Sequence, residues 1–296
     1  MKIPSYLILL RIPFSFFLLP VFLFALSYAE TIDIEKAIHI FIILHLFIYP
    51  ASNGFNSFQD QDTSSIGGLQ NPPQADHWLL KISMAFNIIA IAYSYWIHPI
   101  LSLLVGAYII VSIAYSWKAI RLKKFPVLSF LSVIIFQGFV TYALTYLFCQ
   151  ETNYQENLAQ TNFLLPAFIS SLMVAGAYPM TQIYQHEADK NSGDLTLSRV
   201  LGIQGTFGFS ALMNLLVIII MAYFLINTKQ SHLFYLFLVF IFPPFSFFTW
   251  WFNKVRRSDA YANFRYTMML NKISSISLVL YYLAIIYLKN ISELPF

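Results

Sequence analysis

The stretch Asn56-Ser57-Phe58-Gln59-Asp60-Gln61-Asp62 decides how this 296-residue chain is organised. It closes the apolar run Ala37–Phe58, which is long enough to cross a bilayer as a helix. Asn56 and Asp60 are four residues apart, so on a helix they lie on one face. A carboxylate at the end of a membrane helix is energetically unfavourable and is typical of a functional site. We therefore predict a membrane helix whose polar end binds a ligand or carries out chemistry.

A second stretch, Gln182-Ile183-Tyr184-Gln185-His186-Glu187-Ala188-Asp189, repeats this pattern after the apolar run Phe163–Ile183. Gln185 and Asp189 are again four residues apart. Two acidic helix ends that are distant in sequence suggest one metal site in space. Oxygen ligands favour a hard divalent cation, with Mg²⁺ as the default. The single cysteine, Cys149, excludes a metal site built from several cysteines.

The composition places the whole chain in a membrane. Hydrophobic residues make up 58% of it and charged residues only 10%, whereas an average soluble domain is about 25% charged. A soluble protein of 296 residues has too small a core to bury so much Phe, Leu and Ile. We predict an all-α, polytopic membrane protein with a single transmembrane domain over residues 1–296. The net charge of +4 gives no indication of a nucleic-acid partner.

The apolar residues fall into nine predicted spans. They are Ile8–Ser27, Ala37–Phe58, Leu79–Ile97, Pro99–Trp117, Val127–Phe148, Phe163–Ile183, Val200–Ile226, His232–Trp251 and Ile273–Leu288. Most have the roughly 17 to 25 residues that a hydrocarbon core of about 30 Å requires. We expect helices because backbone groups in lipid must bond internally and the polar alternation of a barrel is absent.

The lysines and arginines are distributed unevenly between the two sides of the membrane. If the N-terminus is cytoplasmic, only Lys36, Lys229 and Lys289 fall outside, and the other 14 of the 17 fall inside. The positive-inside rule supports this orientation and an odd number of spans. Asp60 and Asp62 then open the cytoplasmic loop after the second span, and we expect Glu187, Asp189 and Asp194 in the cytoplasmic loop after the sixth span. The basic loop after the fourth span is on the same side. We expect a multi-pass protein of the cell membrane, with its N-terminus and active-site loops in the cytoplasm.

Acidic and basic groups on one face predict a specific chemistry. A Mg²⁺ ion held by few carboxylates usually shares its ligands with a substrate phosphate, and arginine and lysine are common phosphate partners. A metal and cations around a diphosphate stabilise it as a leaving group. The chain contains 30 Phe and 19 Tyr, so the substrate tail is expected to be apolar. Aromatic faces can stabilise the carbocation that forms when diphosphate leaves an allylic carbon.

Three segments together resemble a known family. Asn56 and Asp60 match the start of an Asn-x-x-x-Asp-x-x-x-Asp motif, in which Ser64 stands at the last position and Asp62 two residues before it. Asp189 matches the end of an Asp-x-x-x-Asp motif whose first position is Gln185. Glu187 stands at a position of this second motif that is commonly acidic. The remaining matches are Gly193, Thr196-Leu197, Leu201-Gly202, the segment Tyr115-Ser116-Trp117-Lys118-Ala119-Ile120-Arg121-Leu122-Lys123 and Arg11-Ile12-Pro13. In these residues the chain resembles the UbiA-type intramembrane prenyltransferases.

The resemblance implies nine transmembrane helices around a central cavity with the active site at the cytoplasmic face. It implies Mg²⁺-dependent transfer of a prenyl group from a prenyl diphosphate to a lipophilic, aromatic acceptor, in quinone or related lipid biosynthesis. The expected catalytic residues are Asn56, Asp60 and Asp189, and the expected metal ligands are Asn56, Asp60, Asp62, Glu187 and Asp189. Diphosphate contacts are expected from Arg11, Lys118, Arg121 and Lys123. Further candidates are Tyr115, Gln185, His186 as a base for the acceptor, and Asp194.

Other interpretations stay open at this point. Ser64 and Gln185 in place of aspartates suggest a diverged relative that binds a prenyl lipid without turnover, although Asp62 and Glu187 can compensate because Mg²⁺ tolerates water-bridged carboxylates. A secondary transporter would need charges near the midplane of broken helices, and the centres of these spans lack them. Helix capping for Asp194, a structural role for His186 and positive-inside topology for the basic loop are the simpler alternatives.

Overall fold

The computed structural model describes residues 3–160 and 163–292, with the side chains of 290–292 left out, and its elements there are all helical. Lys2, one of the lysines assigned to the cytoplasmic side, lies outside the described residues. Nine helices of the described chain are long and apolar enough to cross a membrane. They are α1 (Ser5–Tyr28), α2 (Ile34–Asp60), α3 (His77–Ile97), α4 (Pro99–Ser116), α5 (Pro126–Phe148), α6 (Leu164–Ser192), α7 (Leu197–Asn227), α8 (Ser231–Val255) and α9 (Phe264–Lys289). The predicted all-α, multi-pass architecture is confirmed.

Two helices extend well beyond their predicted apolar spans. The α6 helix continues past Ile183 to Ser192, so Glu187 and Asp189 lie on a helix, and the expectation that they lie in a loop is wrong. Hydropathy detects only the part of a helix that lies in the membrane. This helix ends at Gly193, whose φ of +75° places it in the left-handed region. That conformation allows the Asp194 backbone N–H to donate a hydrogen bond to the Asp189 carbonyl at 2.8 Å. The α9 helix likewise begins at Phe264, ahead of the predicted Ile273.

Close packing in the middle of the bundle depends on small residues. A Cβ atom added to Gly138 of α5 would lie 2.5 Å from the Cα atom of Ser171 in α6, so only glycine allows these backbones to approach so closely. The Ser171 hydroxyl donates a hydrogen bond to the Ile134 carbonyl at 2.9 Å across the same contact. This contact fixes α5 against α6, the helix that carries the second acidic stretch.

A buried aromatic cluster fills the end of the bundle opposite the acidic stretches. Phe24 of α1 stacks on Tyr282 of α9 with ring centroids 4.9 Å apart, and the Tyr142 ring of α5 lies 5.0 Å from the Phe24 ring. All three side chains are fully buried. The cluster therefore closes the bundle at one end, and the cavities described below open at the other end, which we call the motif face.

Three backbone irregularities lie at the motif face. The α1 helix is interrupted at Arg11 (φ 48°), α2 ends at Gln61 (φ 52°), and the α4–α5 loop turns at Arg121 (φ 48°). A fourth non-glycine residue with positive φ, Lys229, lies at the opposite end of the bundle. The left-handed region is unfavourable for residues with a Cβ atom, and such strain concentrates at functional sites. Two of these turns carry the buried side chains of Arg11 and Arg121, and the third, at the exposed Gln61, is followed by Asp62, which lines the cavity described below.

Candidate active site

The motif face encloses a cavity of about 220 Å³. It lies between the ends of α2, α4 and α6, the start of α7 and the interrupted part of α1. Nine of the predicted site residues line it: Arg11, Asn56, Asp60, Asp62, Tyr115, Lys123, Gln185, Asp189 and Asp194. The two acidic stretches, which are more than 120 residues apart in sequence, thus face one space.

Arg121 joins the carboxylates of both acidic regions from behind the cavity. Its Nε and Nη2 atoms donate to the two carboxylate oxygens of Asp194, each at 2.8 Å, and its Nη1 atom donates to Asp60 Oδ1 at 3.3 Å. Burial alone would lower the pKa of Arg121, but the hydrogen bonds and charges of Asp194 and Asp60 outweigh it and raise the pKa. Arg121 therefore stays charged. It is not among the residues that line the cavity, so its hydrogen bonds position the two carboxylates.

The carboxylate of Asp60 is saturated by its neighbours. Its Oδ2 atom accepts from Lys123 Nζ at 2.5 Å and from Asn56 Nδ2 at 2.9 Å, in addition to the Arg121 contact at Oδ1. The Asn56 amide also donates to Ser116 Oγ at 2.9 Å. Because the amide nitrogen of Asn56 is used twice, its carbonyl oxygen is left for a ligand in the cavity.

Asp62 and Asp189 are the cavity carboxylates that lack a cationic partner. In the described part of the chain, no lysine, arginine or histidine nitrogen forms an ion pair with either of them. Asp189 accepts one hydrogen bond, from Thr196 Oγ1 at 3.3 Å. Burial, followed by the charge of Asp60, raises the pKa of Asp62 to about 6. A buried carboxylate whose charged form is this unfavourable is typical of a site that binds a cation.

Arg11 is a buried cation without an acidic partner. Its Nη1 atom donates to the Gly67 carbonyl at 3.1 Å and its Nη2 atom to the Asn53 carbonyl at 3.2 Å, while Nε has no partner. Among the described residues, no carboxylate forms an ion pair with it, and its side chain lines the cavity. Its hydrogen bonds go only to carbonyl groups, and the centroid of the Phe14 ring lies 5.6 Å from the guanidinium carbon. A buried guanidinium without a carboxylate in contact favours an anion nearby, and the cavity is where an anionic ligand would fit.

The oxygen donors fit a metal that a ligand helps to hold. Within the described residues, no group of three or more His, Cys, Asp or Glu side chains is close enough to hold a metal by itself. The available donors are the carboxylates of Asp62 and Asp189, the carbonyl oxygen of Asn56 and that of Gln185, whose amide nitrogen donates to the Ser65 carbonyl at 3.3 Å. All are hard oxygen ligands, and such a set suits Mg²⁺ that completes its shell with phosphate oxygens and water.

The profile of the UbiA prenyltransferase family matches residues 17–276. This chain belongs to the UbiA prenyltransferase family. Membership confirms the family and the enzyme class, a prenyltransferase, that the sequence motifs predicted. No curated protein matches the sequence.

Solved structures agree with the assignment at the level of the fold. A UbiA homolog from Aeropyrum pernix K1 superimposes with a TM-score of 0.66 at 16% identity, covering 94% of this chain and 98% of that one. A UbiA homolog from Archaeoglobus fulgidus bound to GPP and Mg²⁺ gives a TM-score of 0.64 at 17% identity, covering 96% and 100%. A digeranylgeranylglyceryl phosphate synthase gives 0.58 at 17% identity, covering 96% of each chain. At these identities the likeness shows that the fold is shared.

Four predicted residues of this UbiA-family chain lie outside the cavity lining. Arg121 is behind it, as described above, and Lys118 and Glu187 are exposed to solvent. The ring of His186 lies 2.7 Å from Ser198 Oγ, through its Nε2 atom, and so connects α6 to the start of α7. Glu187 is two residues from Asp189, about 200° around the helix, so the two carboxylates point in different directions.

Tyr178 is a cavity residue of this UbiA-family chain that the sequence analysis did not identify. The hydroxyl of Tyr178 lies 2.5 Å from the hydroxyl of Tyr115, and both tyrosines line the cavity. Tyr178 directly precedes Pro179, where α6 tightens into the 3-10 stretch Pro179–Gln185. A proline in a membrane helix marks such a change, so Pro179 is the signal that points to Tyr178.

An apolar chamber of about 440 Å³ continues from the cavity into the bundle. The two spaces share Phe14, Ser52, Asn53, Tyr108, Gln137, Tyr178 and Thr181. The chamber is enclosed mainly by α1, α6, α7, α8 and α9, and none of the described side chains that line it is Asp, Glu, Lys or Arg. This UbiA-family chain therefore offers a charged compartment at the motif face joined to an uncharged one within the membrane.

Proposed function

We propose that this protein transfers a prenyl group from a prenyl diphosphate to a lipophilic acceptor in the membrane, in a Mg²⁺-dependent reaction. The observation that carries the proposal is the charged cavity that opens directly into an uncharged, aromatic-lined chamber. A prenyl diphosphate has the same division, with an anionic head and a hydrocarbon tail. The relative from Archaeoglobus fulgidus that is bound to GPP and Mg²⁺ supports the same ligand class for this chain.

The roles of the residues follow from their contacts. Bound Mg²⁺ would neutralise the diphosphate as it leaves, held by Asn56, Asp62 and Asp189. Arg11, with its unpartnered Nε atom, and Lys123 would bind diphosphate oxygens. The ester bond between the prenyl C1 and the diphosphate oxygen breaks, the acceptor forms the new bond to C1, and the acceptor releases a proton.

Tyr115 and Tyr178 line the charged cavity, and Tyr178 also lines the chamber. A carbocation that forms at C1 would therefore lie near aromatic rings, which stabilise positive charge. We place the prenyl tail in the chamber. The uncharged lining also supports a lipophilic acceptor. The proposal that this acceptor is aromatic, of the kind used in quinone or related lipid biosynthesis, follows from the family.

The missing aspartates are compensated within the cavity, which favours an active enzyme over a binder without turnover. Ser64 is exposed, and Asp62, two residues earlier, lines the cavity in its place. Gln185 directs its amide nitrogen to Ser65, so its carbonyl oxygen is available where the motif has a carboxylate.

Positive-inside topology supports a cytoplasmic motif face. We also propose that the whole chain forms one domain.

A radiolabelled transfer assay tests the proposal. Membranes containing the protein receive prenyl diphosphates of several lengths and a panel of aromatic acceptors, with Mg²⁺ or with a chelator. We expect a Mg²⁺-dependent prenylated product, and a loss of at least about 100-fold in Asp60→Asn and Asp189→Asn. Asp259→Asn, which alters an exposed carboxylate outside the cavity, serves as the control. Mg²⁺-dependent diphosphate binding with no product from any acceptor would instead indicate a non-catalytic binder.

A further inference from the structure

The ammonium group of Lys123 lies between the carboxylates of Asp60 and Asp194, where a positive charge neutralises them. Its Nζ atom lies 2.5 Å from Asp60 Oδ2 and 3.4 Å from Asp194 Oδ2. Its side chain is 12% exposed, and those of the two aspartates are 8% and 2% exposed. An ammonium group therefore bridges the end of α2 and the loop before α7 inside a largely buried site.

Charge balance makes this arrangement stable without a metal. Asp60 and Asp194 carry two negative charges, and Arg121 and Lys123 carry two positive charges that contact them directly. The four side chains form a neutral ring. A divalent cation that entered next to this ring would be repelled by the ammonium at short range, where the buried environment screens charge poorly.

The two cations of the ring differ in their freedom to move. Arg121 is held by three hydrogen bonds through a planar fork and lies outside the cavity lining. Lys123 ends in a single ammonium on a flexible stem and lines the cavity. Lys123 is therefore the cation that can leave the carboxylates while Arg121 keeps them in position.

We propose that Lys123 stands in for the metal in the free protein and is displaced by the substrate. When a diphosphate enters the cavity, the ammonium moves from Asp60 and Asp194 to the diphosphate oxygens. The vacated carboxylate oxygens then become available to the Mg²⁺ ion that Asn56, Asp62 and Asp189 would hold in the same cavity. Metal and diphosphate then bind together, and neither binds tightly alone. This inference rests on the proposed function, because it takes a metal–diphosphate complex as the ligand.

Binding of Mn²⁺ to the purified protein, without any prenyl diphosphate, tests the stand-in role. Free Mn²⁺ is measured by its electron paramagnetic resonance signal, which is lost on binding. Lys123→Met removes the ammonium and keeps an unbranched side chain, and we expect it to bind Mn²⁺ at least about tenfold more tightly than the unaltered protein. Lys124→Met, which removes the neighbouring exposed lysine, controls for net charge and is expected to change the affinity less than about twofold.

A second titration with inorganic pyrophosphate completes the test. Pyrophosphate should tighten Mn²⁺ binding to the unaltered protein, and Lys123→Met should weaken pyrophosphate binding by about tenfold. Lys123→Gln provides a second neutral variant if the methionine variant does not fold. Mn²⁺ binding to folded Lys123→Met or Lys123→Gln that is no tighter than to Lys124→Met would overturn the stand-in role alone. Failure of the unaltered protein to bind Mn²⁺ even with pyrophosphate would overturn this inference and the proposed function together.

Discussion

Replacing Arg121 with methionine separates a structural role from direct diphosphate binding. The sequence motif predicts a diphosphate contact for Arg121, whereas the structure directs all three of its hydrogen bonds to Asp60 and Asp194. If the structure is right, the variant leaves Asp194, whose side chain is 2% exposed, without its main counter-ion. The expected result is a large loss of folding stability.

The magnitude follows from the burial of the pair. Removing one partner of a buried ion pair lowers stability by about 3 to 5 kcal/mol. Lys123, at 3.4 Å from Asp194, offsets part of this loss, so we expect about 3 kcal/mol. The double variant Arg121→Met/Asp194→Asn removes the stranded charge as well, and it should recover about 1 to 2 kcal/mol relative to the sum of the single variants.

Unfolding in mixed detergent–SDS micelles measures the loss of folding stability in each variant. Titration of the same folded variants with Mg²⁺ and pyrophosphate measures ligand binding. Arg257→Met, at an exposed arginine, is the control and should change stability by less than about 0.5 kcal/mol. The reasoning would be refuted if Arg121→Met were as stable as the control but had lost pyrophosphate binding. That outcome would place the guanidinium on the diphosphate.

Three further predictions address packing, the chamber and pH. Gly138→Val places a Cβ atom 2.5 Å from the backbone of α6 and should lower the melting temperature of the protein. Gly106→Val is the control, because nothing lies within 4 Å of a Cβ atom there. Equal melting temperatures for the two variants would contradict the close packing of α5 against α6. Gly176→Val places a Cβ atom 2.9 Å from Asn214 Nδ2 at the chamber wall and should shift kcat/KM from farnesyl toward geranyl diphosphate by about tenfold. An unchanged ratio would show that the tail does not lie there. The affinity for Mg²⁺ with pyrophosphate should fall as the pH drops through about 6, because burial raises the pKa of Asp62 to that value and its protonated form cannot bind a cation. Asp62→Asn should flatten this dependence, and an equally steep profile in the variant would assign it to another group.

The helices could be predicted because few backbone conformations are stable in lipid. Every polar backbone group in a bilayer must bond internally, so an apolar run of sufficient length is a helix. Hydropathy could not predict where α6 ends, because the segment from His186 to Ser192 is helical outside the apolar region. The end is instead determined by Gly193, a signal that can be read in the sequence.

The site was predictable where it depends on helical spacing. Asn56 and Asp60 share a helix face because they are four residues apart, and the structure places both in the cavity. The ion pairs of Arg121 were not predictable, since its partners are 61 and 73 residues away and meet it only through tertiary packing. A local pattern therefore identified which residues carry charge into the site, but not which charges neutralise one another.

The location of a bound metal tests the central claim most directly. A crystal of the protein with Mn²⁺ and geranyl thiodiphosphate, an unreactive substrate analogue, gives the metal position from its anomalous scattering. We predict Mn²⁺ in the cavity between Asp62 and Asp189, bonded to the diphosphate, with the geranyl tail in the chamber beyond Tyr178. Mn²⁺ bound away from both carboxylates, or a tail that lies outside the chamber, would contradict the proposed site.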